Sequence, residues 1–241
     1  MSWVLNRIAL GIRHKRLFGF LSRAGEVIDT ILPLQGTGPF PEKCFNKIGW
    51  PNQITVRIQD DDENFVVECN IDGVVLKVNL AEIELTHGDA KSAFVQLAQK
   101  VLPITGGDRF INRVGIVDEY VLEAEIPGKI AVRALTRLQE IGQAGDFKFR
   151  ASFRRPTDQG LVRGDVSDWK NTILDVSAEK KEEDSEAPDV LRVSIDYQSY
   201  FSPERRFVVS LIENHYEEFL SHSEGLKQRQ LADLEFARVA P

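Results

Sequence analysis

The sequence predicts an α+β fold of two similar β-α-β-β-β-α halves, with antiparallel sheets and helices packed on one face. Three observations carry that prediction. Val4-Leu5-Asn6-Arg7-Ile8-Ala9-Leu10 is matched by Phe110-Ile111-Asn112-Arg113-Val114-Gly115-Ile116, with Asn-Arg identical and the other positions pairing apolar or small residues with their like. After each copy the hydrophobic period lengthens from two to about 3.6, returns to two for three runs, then lengthens again. Clusters of Gly, Pro, Asn and Asp punctuate these runs. The implied division is 1–105 for the first half and 106–241 for the second.

Val4, Ile8, Leu10 and Ile12 share one side of an opening strand, closed by Arg13-His14-Lys15-Arg16. Phe20, Ala24, Val27 or Ile28, and Ile31 then recur as one helical face, and Pro33 ends the helix because its ring clashes with the preceding turn. Leu34 to Asn52 is rich in Gly and Pro and reads as a long loop, either functional or draped over the core. Three strands are expected at Ile54–Ile58, Phe65–Ile71 and Val74–Leu80. Asp72-Gly73 is expected at the centre of a type I′ hairpin turn. Asp89 is expected to cap a helix whose face is Ala90, Phe94, Leu97, Ala98 and Val101.

Arg109 to Ile126 opens the second half and is long for one strand, so a bulge or bend is expected near Gly115 or Asp118-Glu119. A helix with Ile130, Leu138 and Ile141 on one side follows Pro127-Gly128. Strands are expected around Phe147–Phe153, Thr172–Val176 and Leu191–Tyr197, with an acidic, exposed loop over residues 178–188. Ser202-Pro203-Glu204 has the residue types of a helix start. The long C-terminal helix it opens would carry Phe207, Leu211, Asn214, His215 and Phe219 on one face.

Composition narrows the function classes. A 241-residue chain with 42% hydrophobic and 28% charged residues can bury a sizeable core. The formal charge of −7 disfavours general affinity for nucleic acid, since the average field repels phosphate. No run of about eighteen apolar residues is present, so no membrane helix is expected. Charges at Arg7, Arg13, Lys15 and Arg16 interrupt any export leader, which gives a cytoplasmic expectation. Cys44 and Cys69 have no metal-ligand spacing, and Cys69 alternates with Phe65, Val67 and Ile71 as a core residue would.

Two side-chain sets are candidate sites. Arg7, Arg13, Lys15, Arg16 and Arg113 could bind an anion, with Arg154-Arg155 and Arg205-Arg206 as further basic clusters. His215, Glu218 and His222 fall on one side of a helix and could supply three ligands to a metal. No phosphate loop, nucleophile elbow or His-Glu-x-x-His motif occurs, and no cofactor is implied.

Arg113-Val114-Gly115-Ile116, followed by a late Leu174-Asp175-Val176 and a final amphipathic helix, resembles a sporadically distributed, uncharacterised bacterial protein family. Its members share an Arg-x-Gly-Leu-Arg-Tyr-type strand and a Leu-Asp-x-Asp-like strand. Val117-Asp118 stands here in place of the Arg-Tyr. The resemblance implies a layout over most of the chain, a place in a defence or toxin–antitoxin system, and no catalytic residues. Together these readings favour a non-enzymatic interaction module with a cognate protein or a second copy as partner. A metal-dependent enzyme using carboxylates and histidines, and a sensor of a nucleotide or other anion, are the alternatives.

Overall fold

A computed structural model of the chain describes residues 3–123, 147–156, 168–179 and 190–226. Among these residues nine strands run in the order β1 (Val4–His14), β2 (Lys47–Asn52), β3 (Thr55–Gln59), β4 (Phe65–Asn70), β5 (Gly73–Asn79), β6 (Ile111–Glu123), β7 (Phe147–Pro156), β8 (Trp169–Glu179) and β9 (Val190–Arg205). The described helices are α1 (Phe20–Ile31), α2 (His87–Thr105) and α3 (Val209–Leu226). The expected helix near 130–141 and residues 180–188 of the expected acidic loop lie outside the described residues, while Ala178 and Glu179 belong to β8.

All nine strands form a single antiparallel sheet, ordered β2-β3-β4-β5-β1-β6-β9-β8-β7. The separate sheets expected from the sequence are fused because β1 and β6 pair directly in its middle, with Leu10 opposite Ile116 and Gly11 opposite Gly115. Strand alternation sends one set of side chains into the core: Ile8, Leu10 and Ile12 from β1, Val114, Ile116, Tyr120 and Leu122 from β6, and Leu191, Val193 and Ile195 from β9. On that side α2 packs on β1 and β5, α3 packs on β6, β9 and α2, and α1 packs on α2. Burying each Leu, Ile or Phe in this layer contributes about 1.5–3 kcal/mol.

Several local expectations are met. α1 buries Phe20, Ala24, Val27 and Ile31, and α2 buries Ala90, Phe94, Leu97, Ala98 and Val101. The cap of α2 is Thr86 rather than Asp89. The Asp89 amide donates to Thr86 Oγ1 at 3.1 Å and the Thr86 amide donates to Asp89 Oδ2 at 2.9 Å, a reciprocal capping box.

Other elements differ, each for a physical reason. The hairpin between β4 and β5 turns on Ile71-Asp72, with Asn70 opposite Gly73 and neither central residue at positive φ. Asn70 Oδ1 accepts from the Asp72 amide at 2.8 Å and holds the turn. Gly73 is needed for close approach, since a Cβ there would stand 2.0 Å from the Ile12 carbonyl oxygen. The Gly/Pro-rich stretch after α1 buries Phe40, Cys44 and Phe45 over the core and ends in edge strand β2, where Pro51 costs no ladder bond on a buried strand. Ser202-Pro203 is a cis peptide within β9, and α3 starts only at Val209. β6 passes Gly115 and Asp118 in regular register. Its irregularity falls at Asn112, which is skipped between Ile111 and Arg113, and β1 has a matching skip at Asn6 between Leu5 and Arg7.

Candidate functional site

The second face of the sheet carries the alternate residues of the same strands, and they are mostly polar or charged. Reading across the strands from β1 at one level gives Arg13, then Arg113 on β6, Tyr200 on β9 and Trp169 on β8, each the register partner of the next. The Trp169 and Tyr200 rings stack with centroids 3.8 Å apart and planes 5° from parallel. Arg154 on β7 lies 4.7 Å from the Trp169 centroid, and Arg113 lies 5.6 Å from that of Tyr200. Arg113 Nη1 also donates to the Tyr200 hydroxyl at 3.2 Å, which in turn donates to Gln198 Oε1 at 2.5 Å. Each ring thus has a guanidinium within cation–π reach, and Arg113 already gives one N–H to Tyr200.

Beside this column is a hollow of about 330 Å³ lined by Arg13, Asn112, Arg113, Trp169, Tyr200 and Phe201. Its described lining has two cations and no carboxylate, with Asp196 on β9 attracting Arg113 from outside it. Directly opposed like charges on paired strands are destabilising, so Arg13 facing Arg113 is an energetic cost the fold carries. Arg13 is exposed.

Arg7 is placed elsewhere. It stands opposite Glu119 and lines a separate hollow of about 440 Å³, where Arg57 and Lys77 are balanced by Asp62, Glu63 and Glu119. Glu119 accepts from Asn6 Nδ2 at 3.2 Å and from Arg192. On the same face burial favours protonation of Glu68, yet Lys77 at 2.9 Å and Arg57 at 2.7 Å outweigh it and hold the carboxyl below its usual range. Of the other expected anion ligands, Arg16 pairs with Asp72 at 3.0 Å and Lys15 is exposed. The five residues therefore divide: Arg13 and Arg113 are brought together, and Arg7, Lys15 and Arg16 are not part of their hollow.

The proposed metal ligands have separate engagements. Ser199 Oγ donates to His215 Nδ1 at 2.9 Å, and His215 Nε2 donates to the Tyr197 carbonyl at 3.2 Å. Glu218 pairs with Lys170, and His222 Nε2 hydrogen-bonds Thr172 Oγ1 at 3.1 Å. Among the described residues no three His, Cys, Asp or Glu side chains group to hold a metal. The Ser199–His215 pair resembles a nucleophile and its base, and both line a hollow with Asp168, Lys170, Arg205 and Glu218. Burial, however, drives His215 down to about 3, far from the neutral range that serves a general base. Its role is to satisfy two buried polar groups.

A further polar network was invisible in the sequence. Asp118, fully buried in β6, accepts from His87 Nε2 at 2.9 Å and from the Tyr120 hydroxyl at 2.9 Å. Nε2 must carry the ring proton, because a carboxylate only accepts; in the neutral ring Nδ1 then accepts from the Tyr216 hydroxyl. One carboxylate so ties the start of α2 and the middle of α3 to the sheet. Burial and the nearby Asp118 push the Tyr216 phenol up to about 12.

Fold and site together define a mixed α+β protein with a largely polar second sheet face and a basic, aromatic hollow lined from β1, β6, β8 and β9. No described helix is long and apolar enough to cross a membrane. In comparison with known proteins, no family model matches the chain and no curated protein matches it.

Proposed function

We propose that the chain is a non-enzymatic recognition module of two related halves that binds an anionic group at the Arg13–Arg113 hollow. The observation that carries this reading is the side-by-side pair of arginines in a hollow with no carboxylate among its described lining residues. Anions recruited there offset the repulsion that the fold carries in their absence.

The register supports the duplication on which the reading stands. The two copies of the Asn-Arg run differ by 106 positions, and Leu10 is paired with Ile116, its own counterpart. A twofold axis through that pair exchanges Arg7–Glu119 with Arg113–Arg13 and carries the skipped Asn6 onto the skipped Asn112. The strand orders β1-β5-β4-β3 and β6-β9-β8-β7 correspond under the same exchange. The test is thermal shift against nucleotides, short nucleic acids and acidic peptides at low and high salt. One class raises Tm at low salt, less so at high salt, and not in Arg13→Ala. A panel in which no anion moves Tm refutes the reading.

A further inference from the structure

The two ends of the β1–β6 pair act as a control for one another. At one end Arg7 faces Glu119, and Glu119 is bound by Asn6 of the skipped position. At the other, Arg113 and the skipped Asn112 are present, but the place that corresponds to Glu119 is taken by Arg13. The fold therefore supplies its own carboxylate at the first end and replaces it with a second cation at the other. We infer that the Arg13–Asn112–Arg113 hollow receives a terminal phosphomonoester, an inference that rests on the anion-binding reading above and specifies its ligand.

Charge and shape select this group over a carboxylate or a phosphodiester. Two guanidiniums are best matched by a dianion, and a phosphomonoester carries about −1.5 to −2 at pH 7, whereas a carboxylate or diester carries a single charge. Planar guanidinium forks match phosphate oxygens in pairs, and the Asn112 amide can add a donor. The remaining wall is Tyr200, Trp169 and Phe201, a flat apolar flank for a sugar or base attached to the phosphate. A free nucleotide and the 5′ end of a nucleic-acid strand both offer that combination.

The full chain is titrated with a short 3′-labelled oligonucleotide bearing either a 5′-phosphate or a 5′-hydroxyl, read by fluorescence anisotropy. A nucleoside 5′-monophosphate, its nucleoside and an oligoglutamate peptide are titrated by calorimetry. The 5′-phosphate strengthens oligonucleotide binding roughly tenfold to a hundredfold, as charge-assisted hydrogen bonds would. Arg13→Ala removes that preference, while Arg7→Ala, at the self-neutralised end, keeps it. Binding of the monophosphate identifies a free nucleotide as sufficient; binding of only the phosphorylated strand identifies a strand end. Equal binding of both oligonucleotides, or binding of the acidic peptide alone, overturns the phosphomonoester inference and leaves the anion-binding reading intact. Failure of every anion to bind overturns both.

Discussion

His215 makes acid sensitivity a quantitative consequence of the packing. It is 3% exposed and held neutral between the Ser199 hydroxyl and the Tyr197 carbonyl, with its pKa lowered by burial to about 3. In the unfolded chain an ordinary histidine titrates near 6.5. Between those values the unfolded state binds a proton that the folded state refuses, so stability falls as pH drops below about 6.5 and the loss is complete near 3. At pH 5 the linkage integral over that window amounts to about 2 kcal/mol relative to neutral pH. His14, also buried and lowered, acts in the same direction, whereas Asp196, raised by burial, acts oppositely. The measurement is urea unfolding of wild type and His215→Gln at pH 7 and pH 5. The variant is less stable at pH 7 but loses about 2 kcal/mol less on acidification. Equal losses in the two proteins would refute the assignment of a buried neutral imidazole.

Three other outcomes follow from the packing. His87→Ala removes one of the two described donors to the buried Asp118 carboxylate and costs about 3–5 kcal/mol in chemical denaturation, while Asp118→Asn, which removes the charge, costs less. Gly73→Ala drives a Cβ against the Ile12 carbonyl and lowers stability by about 2 kcal/mol or more; a variant that melts with wild type would contradict the close approach of β1. Cys44 and Cys69 are buried thiols pushed up to about 12, so a thiol reagent at pH 8 labels neither in the native protein and both in denaturant.

What was legible in the sequence is what repeats locally. Alternation of Ile8, Leu10 and Ile12, or of Val74, Leu76 and Val78, marks a strand because neighbours on one face share a core. The faces of α1 and α2 were read from their spacing for the same reason. Asp118 misled because its phase is that of Ile116 and Tyr120, yet its polarity points outward; its partner His87 is 31 residues away, beyond any local pattern. Ser202-Pro203-Glu204 carries the chemistry of a helix start but lies in β9, whose pairing with β6 and β8 outweighs local preference. The expected anion set included Arg13 and Arg113, which the fold brings together, but nothing in the spacing separated them from Arg7. Trp169 and Tyr200 gave no signal at all, since the column they form draws one residue from each of four strands.

The most direct test of the central claim is the single substitution Arg13→Glu. It gives the second end of the β1–β6 pair the arrangement that Arg7, Asn6 and Glu119 have at the first. Replacing an opposed like-charge pair by an opposite pair stabilises the folded chain by about 0.2–1 kcal/mol and abolishes anion binding at the hollow. A variant that is less stable than wild type, or that still binds anions as wild type does, would show that this pair of arginines is not a vacant anion seat.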